Sequence, residues 1–187
     1  MRFFLTLALA LPLAAQAAPP PAAQHAKPKN SLDQLFTMLA RAQSEEDAKP
    51  IEAEIGALFE QSGSPTVDLL MGRVAAAIEA GDKETARHLI DSITDIAPDF
   101  AEAWHRRAVI QEDDGDDEGA MISLQRVIKL NPRQFEAYSE LGAMLEDYGD
   151  KKAALAAFRK ALTLDPQMEG AAKHVEALTR SVEGEKI

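Results

Sequence analysis

Cysteine is missing from this 187-residue chain. Its absence excludes disulfides, thiolate metal sites and thiol nucleophiles, and leaves no redox liability in an oxidising compartment. Aromatic residues are sparse, at 5% with one Trp and two Tyr. That disfavours a bulky single core, whereas the plentiful alanine suits closely packed helices. Basic residues are outnumbered, 20 Lys and Arg against 31 Asp and Glu, for a net charge of −11. Phosphate recognition needs clustered cations, so no nucleic-acid partner is expected, and an acidic surface favours cationic partners.

Signatures of chemistry are also missing. There is no Gly-x-Ser-x-Gly, no phosphate-cradling Gly-Lys-Ser/Thr loop and no Gly-x-Gly-x-x-Gly. The histidines, His25, His88, His105 and His174, are scattered, with no His-x-x-x-His pair or His-Glu-x-x-His, so a zinc enzyme is not indicated. The expectation is a non-enzyme with no catalytic residues, metal or cofactor. The densest acidic run, Glu112 to Glu118, invites calcium. Its spacing lacks the Asp-x-Asp-x-Asp-Gly register, which favours an ordinary turn.

Two N-terminal segments read as processing and spacing. Met1-Arg2 is a short basic start, Phe3 to Leu13 is apolar apart from Thr6 and Pro12, and Ala15-Gln16-Ala17 is a small-x-small cleavage pattern. Residues 1–17 are therefore expected to be a cleavable bacterial export signal, placing the protein in the periplasm without stable membrane insertion. Residues 18–30, APPPAAQHAKPKN, contain four prolines and no large apolar group, and read as an extended tether.

What is present is periodicity. Gly-Asp recurs every 34 residues at Gly81-Asp82, Gly115-Asp116 and Gly149-Asp150. Pro98, Pro132 and Pro166 keep the same interval, as do Ala86, Ala120 and Ala154. A period in this range marks stacked helix pairs that offer surfaces to partners. Glycine can adopt the positive φ that closes one helix, the next Asp caps the following helix, and proline stops it. Three units follow: 67–100, 101–134 and 135–168.

Ahead of them, Ser31 and Gln34 have capping-box spacing, with Leu32, Leu35, Phe36 and Leu39 at helical intervals. That helix is expected to end near Ser44. A second is expected to start at Pro50 and run to about Gln61. Residues 31–62 thus read as a helical hairpin, either an N-terminal cap or a degenerate repeat. A final amphipathic helix over about 169–182 reads as the C-terminal cap.

These units resemble the tetratricopeptide repeat. The third matches best, through Tyr138, Leu141, Gly142, Leu145, Ala154, Phe158, Ala161 and Pro166. The second offers Trp104, Ala108, Ala120, Leu124, Val127 and Pro132, with Arg107 and Gln111 standing where the family has apolar or aromatic side chains. The first offers Leu70, Ala86, Ile90 and Pro98, with Arg73 in place of an apolar residue and Val74 in place of a small one. The resemblance implies an all-α solenoid of three helix-turn-helix units with helical caps at both ends, lined on its concave wall by the first helix of each unit.

By that geometry the wall comprises Asp68, Met71, Ala75 and Glu79 from the first unit. The second gives Glu102, His105, Val109, Glu112 and Asp113. The third gives Glu136, Ser139, Ala143, Glu146 and Asp147. None is Lys or Arg, so the family's clamp for a peptide carboxylate is not expected. An acidic groove favours a basic peptide or protein segment through steering, although charge on an exposed helix face is also the ordinary case. His105 could read a ligand or change charge in mild acid.

The preferred function is an envelope scaffold that binds a peptide or envelope protein in this groove. The alternative is a homo-oligomeric structural envelope protein joined through its capping helices at Leu39, Val175 and Leu178. The oligomeric state itself is not legible in the sequence.

Overall fold

The computed structural model describes residues 31–184. The expected signal, residues 1–17, and tether, residues 18–30, lie outside them. Nine helices and no strand occur among the described residues. They are α1 (Leu32–Leu39), α2 (Glu45–Phe59), α3 (Pro65–Glu79), α4 (Lys83–Ile96), α5 (Ala101–Asp113), α6 (Asp117–Leu130), α7 (Phe135–Asp147), α8 (Lys151–Leu164) and α9 (Ala171–Glu183).

The periodic residues make the periodic turns. Gly81, Gly115 and Gly149 sit at φ 71°, 77° and 82°, where a side chain would strain the backbone. At each turn the residue after glycine donates its N–H back into the helix just ended. Asp82 reaches Ala77 O at 2.9 Å, Asp116 reaches Gln111 O at 2.8 Å and Asp150 reaches Leu145 O at 2.9 Å, the Schellman closure. The carboxylates of these aspartates then cap α4, α6 and α8 by accepting from Thr85 N, Gly119 N and Ala153 N. One dipeptide therefore closes one helix and opens the next.

Helices pair as α3 with α4, α5 with α6 and α7 with α8, and each pair packs on the following one, with α9 laid on α8. Alanines at the close crossings are buried, including Ala86, Ala108, Ala120 and Ala154. Gly142 is needed for the same reason: a Cβ there would lie 3.1 Å from the Phe158 ring. Leu124 and Phe158 fill the space between units at 1% exposure each.

The departures from the repeat pattern are accommodated by polar partners. Arg107 lies over the Trp104 ring at 5.4 Å and pairs with Asp91 at 3.0 Å. Gln111 accepts from the Ser123 hydroxyl at 2.6 Å and donates to Asp116 at 3.0 Å. Both positions keep their contacts without an apolar side chain, because the buried polar atoms are satisfied.

The first hairpin departs from expectation in two respects. Its second helix begins at Glu45, so Pro50 lies inside it rather than at its start. Ser44 is the cap, accepting from Asp47 N at 3.2 Å while its hydroxyl donates to the Asp47 carboxylate at 3.0 Å. Glu45, Glu46 and Asp47 then favour the positive end of the helix dipole. Proline removes one backbone bond, but Glu46 and Pro50 are both exposed, so solvent can take up the freed carbonyl. The first helix likewise stops at Leu39, short of Ser44.

The second departure is where the hairpin docks. Leu35, Phe36, Leu39, Ala48 and Ile55 form one apolar cluster with Phe135 of α7, and Leu164 and Met168 pack against it. No α3 residue joins that cluster. The hairpin thus lies against the third unit rather than continuing the stack from the first. Leu69, on α3, stays 68% exposed.

Candidate groove and the hairpin that covers part of it

The hairpin docks through chemistry distributed along its length. Near its start, Arg133 pairs with Asp33 at 2.5 Å and lies 3.8 Å over the Phe36 ring. Phe36 meets Phe135 edge-on at 6.3 Å and Phe59 at 6.4 Å. Between α1 and α2, the Ala42 carbonyl accepts from Gln167 Nε2 at 3.2 Å. At the far end, Glu60 pairs with Arg106 of α5 at 2.9 Å. Exposed ion pairs of this kind contribute at most about 1 kcal/mol each. The apolar cluster does most of the holding, since burying one large side chain is worth about 1.5–3 kcal/mol.

This placement divides the expected wall in two. Beside the hairpin, Glu102 is 4% exposed. It is held by Arg106 Nε at 2.9 Å and Gln134 Nε2 at 3.1 Å. His105 Nε2 lies 2.9 Å from Glu140 and its Nδ1 3.5 Å from Glu102. Burial opposes a charge on that ring, but hydrogen bonds to Glu102 and Glu140, and their charges, prevail and raise its pKa to about 10. His105 is therefore a locked cation, and the expected change of charge in mild acid does not hold. For Glu102, burial acts upward, yet the His105 hydrogen bond and charge bring the net shift below its ordinary value.

Glu136 is largely buried, which pushes its carboxyl up to about 7, and its Oε2 has no hydrogen-bond partner. Glu146 is taken by His174 of α9 at 2.7 Å, whose ring stacks on Phe158 at 4.5 Å. Three of the expected groove residues, Glu102, His105 and Glu146, are thus engaged by the chain's own side chains, and Glu136 is largely buried.

The other half of the wall is open. Asp68 and Met71 line a cavity of about 260 Å³ with Ala75, Ile78, Arg106 and Glu60. Val109 and Asp113 line an adjoining one of about 400 Å³ with Ile78, Lys83 and Ile110. Ile78 belongs to both, and Ile78 and Val109 are 43% and 42% exposed. Glu79, Glu112, Ala143 and Asp147 are exposed and Ser139 is half-buried. The sequence reading missed Ile78, Arg106, Glu60 and Lys83. Ile78 was visible as the next turn of the Met71, Ala75 stripe. Lys83 enters by pairing with Asp113, so this half carries cations as well as carboxylates.

Four of the six carboxylates in the acidic run at 112–118 are engaged locally. Asp113 pairs with Lys83 and Asp114 with Arg87 at 2.6 Å. Asp116 caps α6, and Asp117 accepts from the Tyr148 hydroxyl at 2.8 Å. Among the described residues no group of three or more His, Asp or Glu side chains is arranged to hold a metal. Two of the residues expected to join copies are unavailable: Leu39 and Leu178 are 0% and 2% exposed, and Val175 is partly buried beside Leu178.

Residues 101–134 and 135–168 each match a family model of the tetratricopeptide repeat. Residues 101–168 are two tetratricopeptide repeats. A TPR repeat-containing protein of Rhizobium etli is 40% identical over 83 residues, 44% of this chain and 41% of that protein. The chain therefore matches less than half the length of that curated relative. Among solved structures, the Sgt2 TPR domain from Aspergillus fumigatus superposes with a TM-score of 0.56 at 24% identity, covering 64% of this chain and 81% of that one. The Yersinia enterocolitica type III secretion chaperone SycD, in complex with a peptide of the translocator YopD, gives 0.58 at 13% identity, over 63% and 95%. At these identities the likeness is one of fold. No described helix of the repeat chain is long and apolar enough to cross a membrane.

Proposed function

We propose that this repeat protein is a protein–protein interaction scaffold, exported to the periplasm, that holds a peptide segment in the open half of its concave wall. The observation that carries the reading is the pair of adjoining cavities joined at Ile78. There, half-exposed Ile78, Val109 and Met71 are bordered by Glu60, Asp68, Asp113 and Asp114, with Arg106 and Lys83 among them. A surface with exposed aliphatic anchors and a mainly acidic border suits a segment carrying an apolar residue next to Lys or Arg. Solved structures of the same fold hold peptides, as in the SycD complex with a YopD peptide, which supports a binding role without naming this chain's partner. The work done is surface complementarity, and no covalent chemistry is assigned to it.

An array of peptides combining one aliphatic residue with Lys or Arg tests the reading. Binding that falls with added salt and is lost in Val109→Arg is the expected result. Equal capture by the native protein and by Val109→Arg would remove the groove as the binding surface. Export is tested separately by N-terminal sequencing of the protein recovered from the envelope, where a start after Ala17 is expected.

A further inference from the structure

The turn that follows each second helix places equivalent residues at Ala97, Asn131 and Asp165, 34 apart. Two are uncharged, so the repeat itself does not require a carboxylate here. Asp165 nevertheless is 0% exposed, and it sits at a helix C-terminus, where a negative charge is unfavourable. Its Oδ1 accepts from Gln167 N at 3.1 Å, whereas its Oδ2 is buried with no hydrogen-bond partner. The hairpin lies over this turn, with Gln167 donating to the Ala42 carbonyl and Lys49 3.6 Å from Glu169, and the α2 side chain that acts on Asp165 there is another carboxyl, Glu52. Ile51 and Ile55 on one side and Leu164 on the other belong to the apolar cluster that joins hairpin and third repeat. Asp165 is fully covered there and Glu52 partly so, and two carboxyl groups in contact are favoured when they share one proton.

We propose that docking of the α1–α2 hairpin on the third repeat takes up a proton, shared between Glu52 and Asp165. The hairpin then releases as pH rises and uncovers Phe135, Leu164 and Met168. The inference stands independently of peptide binding. Burial is the main reason Glu52 holds its proton up to about pH 7, and the charge and hydrogen bond of Asp165 act in the same direction. Asp165 is itself raised, again mainly by burial.

The other charged groups around the contact are accounted for. Lys49, on α2, opposes the shift, but it is engaged by Glu45 and Glu169. Glu136 of α7 adds to the shift and has its own carboxyl raised to about 7 by burial, while Glu140 and Glu102 push it up and His105 pulls it down. The partners of His105 all lie on the repeats, so its charge does not depend on docking. Undocked, Glu52 returns to the ordinary value of 4.5. The docked state therefore binds the extra proton between about pH 4.5 and pH 7. Docking is tightest at the acidic end of that window and weakens as pH rises through it.

Hydrogen exchange of the full chain, corrected for intrinsic rates, reads the opening of 32–59 relative to α7–α8. Between about pH 5.5 and about pH 8 the relative opening is expected to rise roughly tenfold or more. Glu52→Gln replaces the titrating carboxyl with an amide donor of similar shape and is expected to leave the hairpin docked with a much smaller pH response. Asp165→Asn removes only the neighbouring charge, so the response is expected to shrink but not vanish, because burial still holds Glu52 up. An unchanged ratio in the native protein, or a response in Glu52→Gln as large as in the native protein, would overturn the proposal.

Discussion

Phe36 of the first hairpin meets Phe135 of the third repeat edge-on, with ring centroids 6.3 Å apart. That contact turns the chain's N-terminal hairpin from an end cap into a cover over part of the repeats. Phe36 also touches Phe59 and lies under Arg133. Phe36→Ala is therefore expected to cost about 3 kcal/mol, at the lower end for a buried Phe because the site is an interface. Urea denaturation followed by circular dichroism checks this. The units over 67–168 should keep their helical signal after the hairpin has detached.

Glycine at the two kinds of repeat position is required for different reasons. A Cβ on Gly142 would lie 3.1 Å from the Phe158 ring, so Gly142→Ala is expected to cost about 1–3 kcal/mol through overpacking. Gly149 has open space but a φ of 82°, so Gly149→Ala is expected to cost about 1–2 kcal/mol through backbone strain alone. Restoring room with Phe158→Leu should rescue the first variant and leave the second unimproved, as read by the urea midpoint.

His105 is held by Glu102 and Glu140 and keeps its proton to about pH 10. A folded pKa above the ordinary 6.5 means its contribution to stability is complete below that value and declines as pH rises through about 10. Its ring protons are expected to show no inflection between about pH 5 and about pH 8 by NMR. An inflection of His105 there would mean the ion pairs do not form.

The acidic run offers no vacant cluster, because Asp113, Asp114, Asp116 and Asp117 are each engaged. Millimolar calcium, followed by chelator, is expected to leave the thermal midpoint unchanged within about 1 °C. A reversible rise would place a cation there.

The repeats were legible because their signals are local. A Gly-Asp turn fixes both helix ends within a few residues, and a 34-residue spacing repeats it. The hairpin's destination was not legible, because it depends on Phe36, Leu164 and Met168 meeting across the length of the chain. Amphipathicity shows that a face is buried without showing against what. The groove residues divide the same way. Val109 and Met71 could be placed from the geometry that the repeat resemblance implies, whereas the burial of Glu102 and Glu136 follows from packing that the resemblance does not reveal. At the start of α2 two local signals compete: Ser44 followed by Glu45, Glu46 and Asp47 is a helix start, and Pro50 suits a first turn as well.

The open stretch of wall around Met71, Ile78 and Val109 goes with the hairpin lying on the third repeat. A nuclear Overhauser spectrum of the full chain with labelled phenylalanines measures that placement directly. Cross-peaks between the rings of Phe36 and Phe135 are the expected result. Their absence, together with cross-peaks from Phe36 or Leu35 to Leu69 of α3, would contradict it and return the hairpin to the end of the stack.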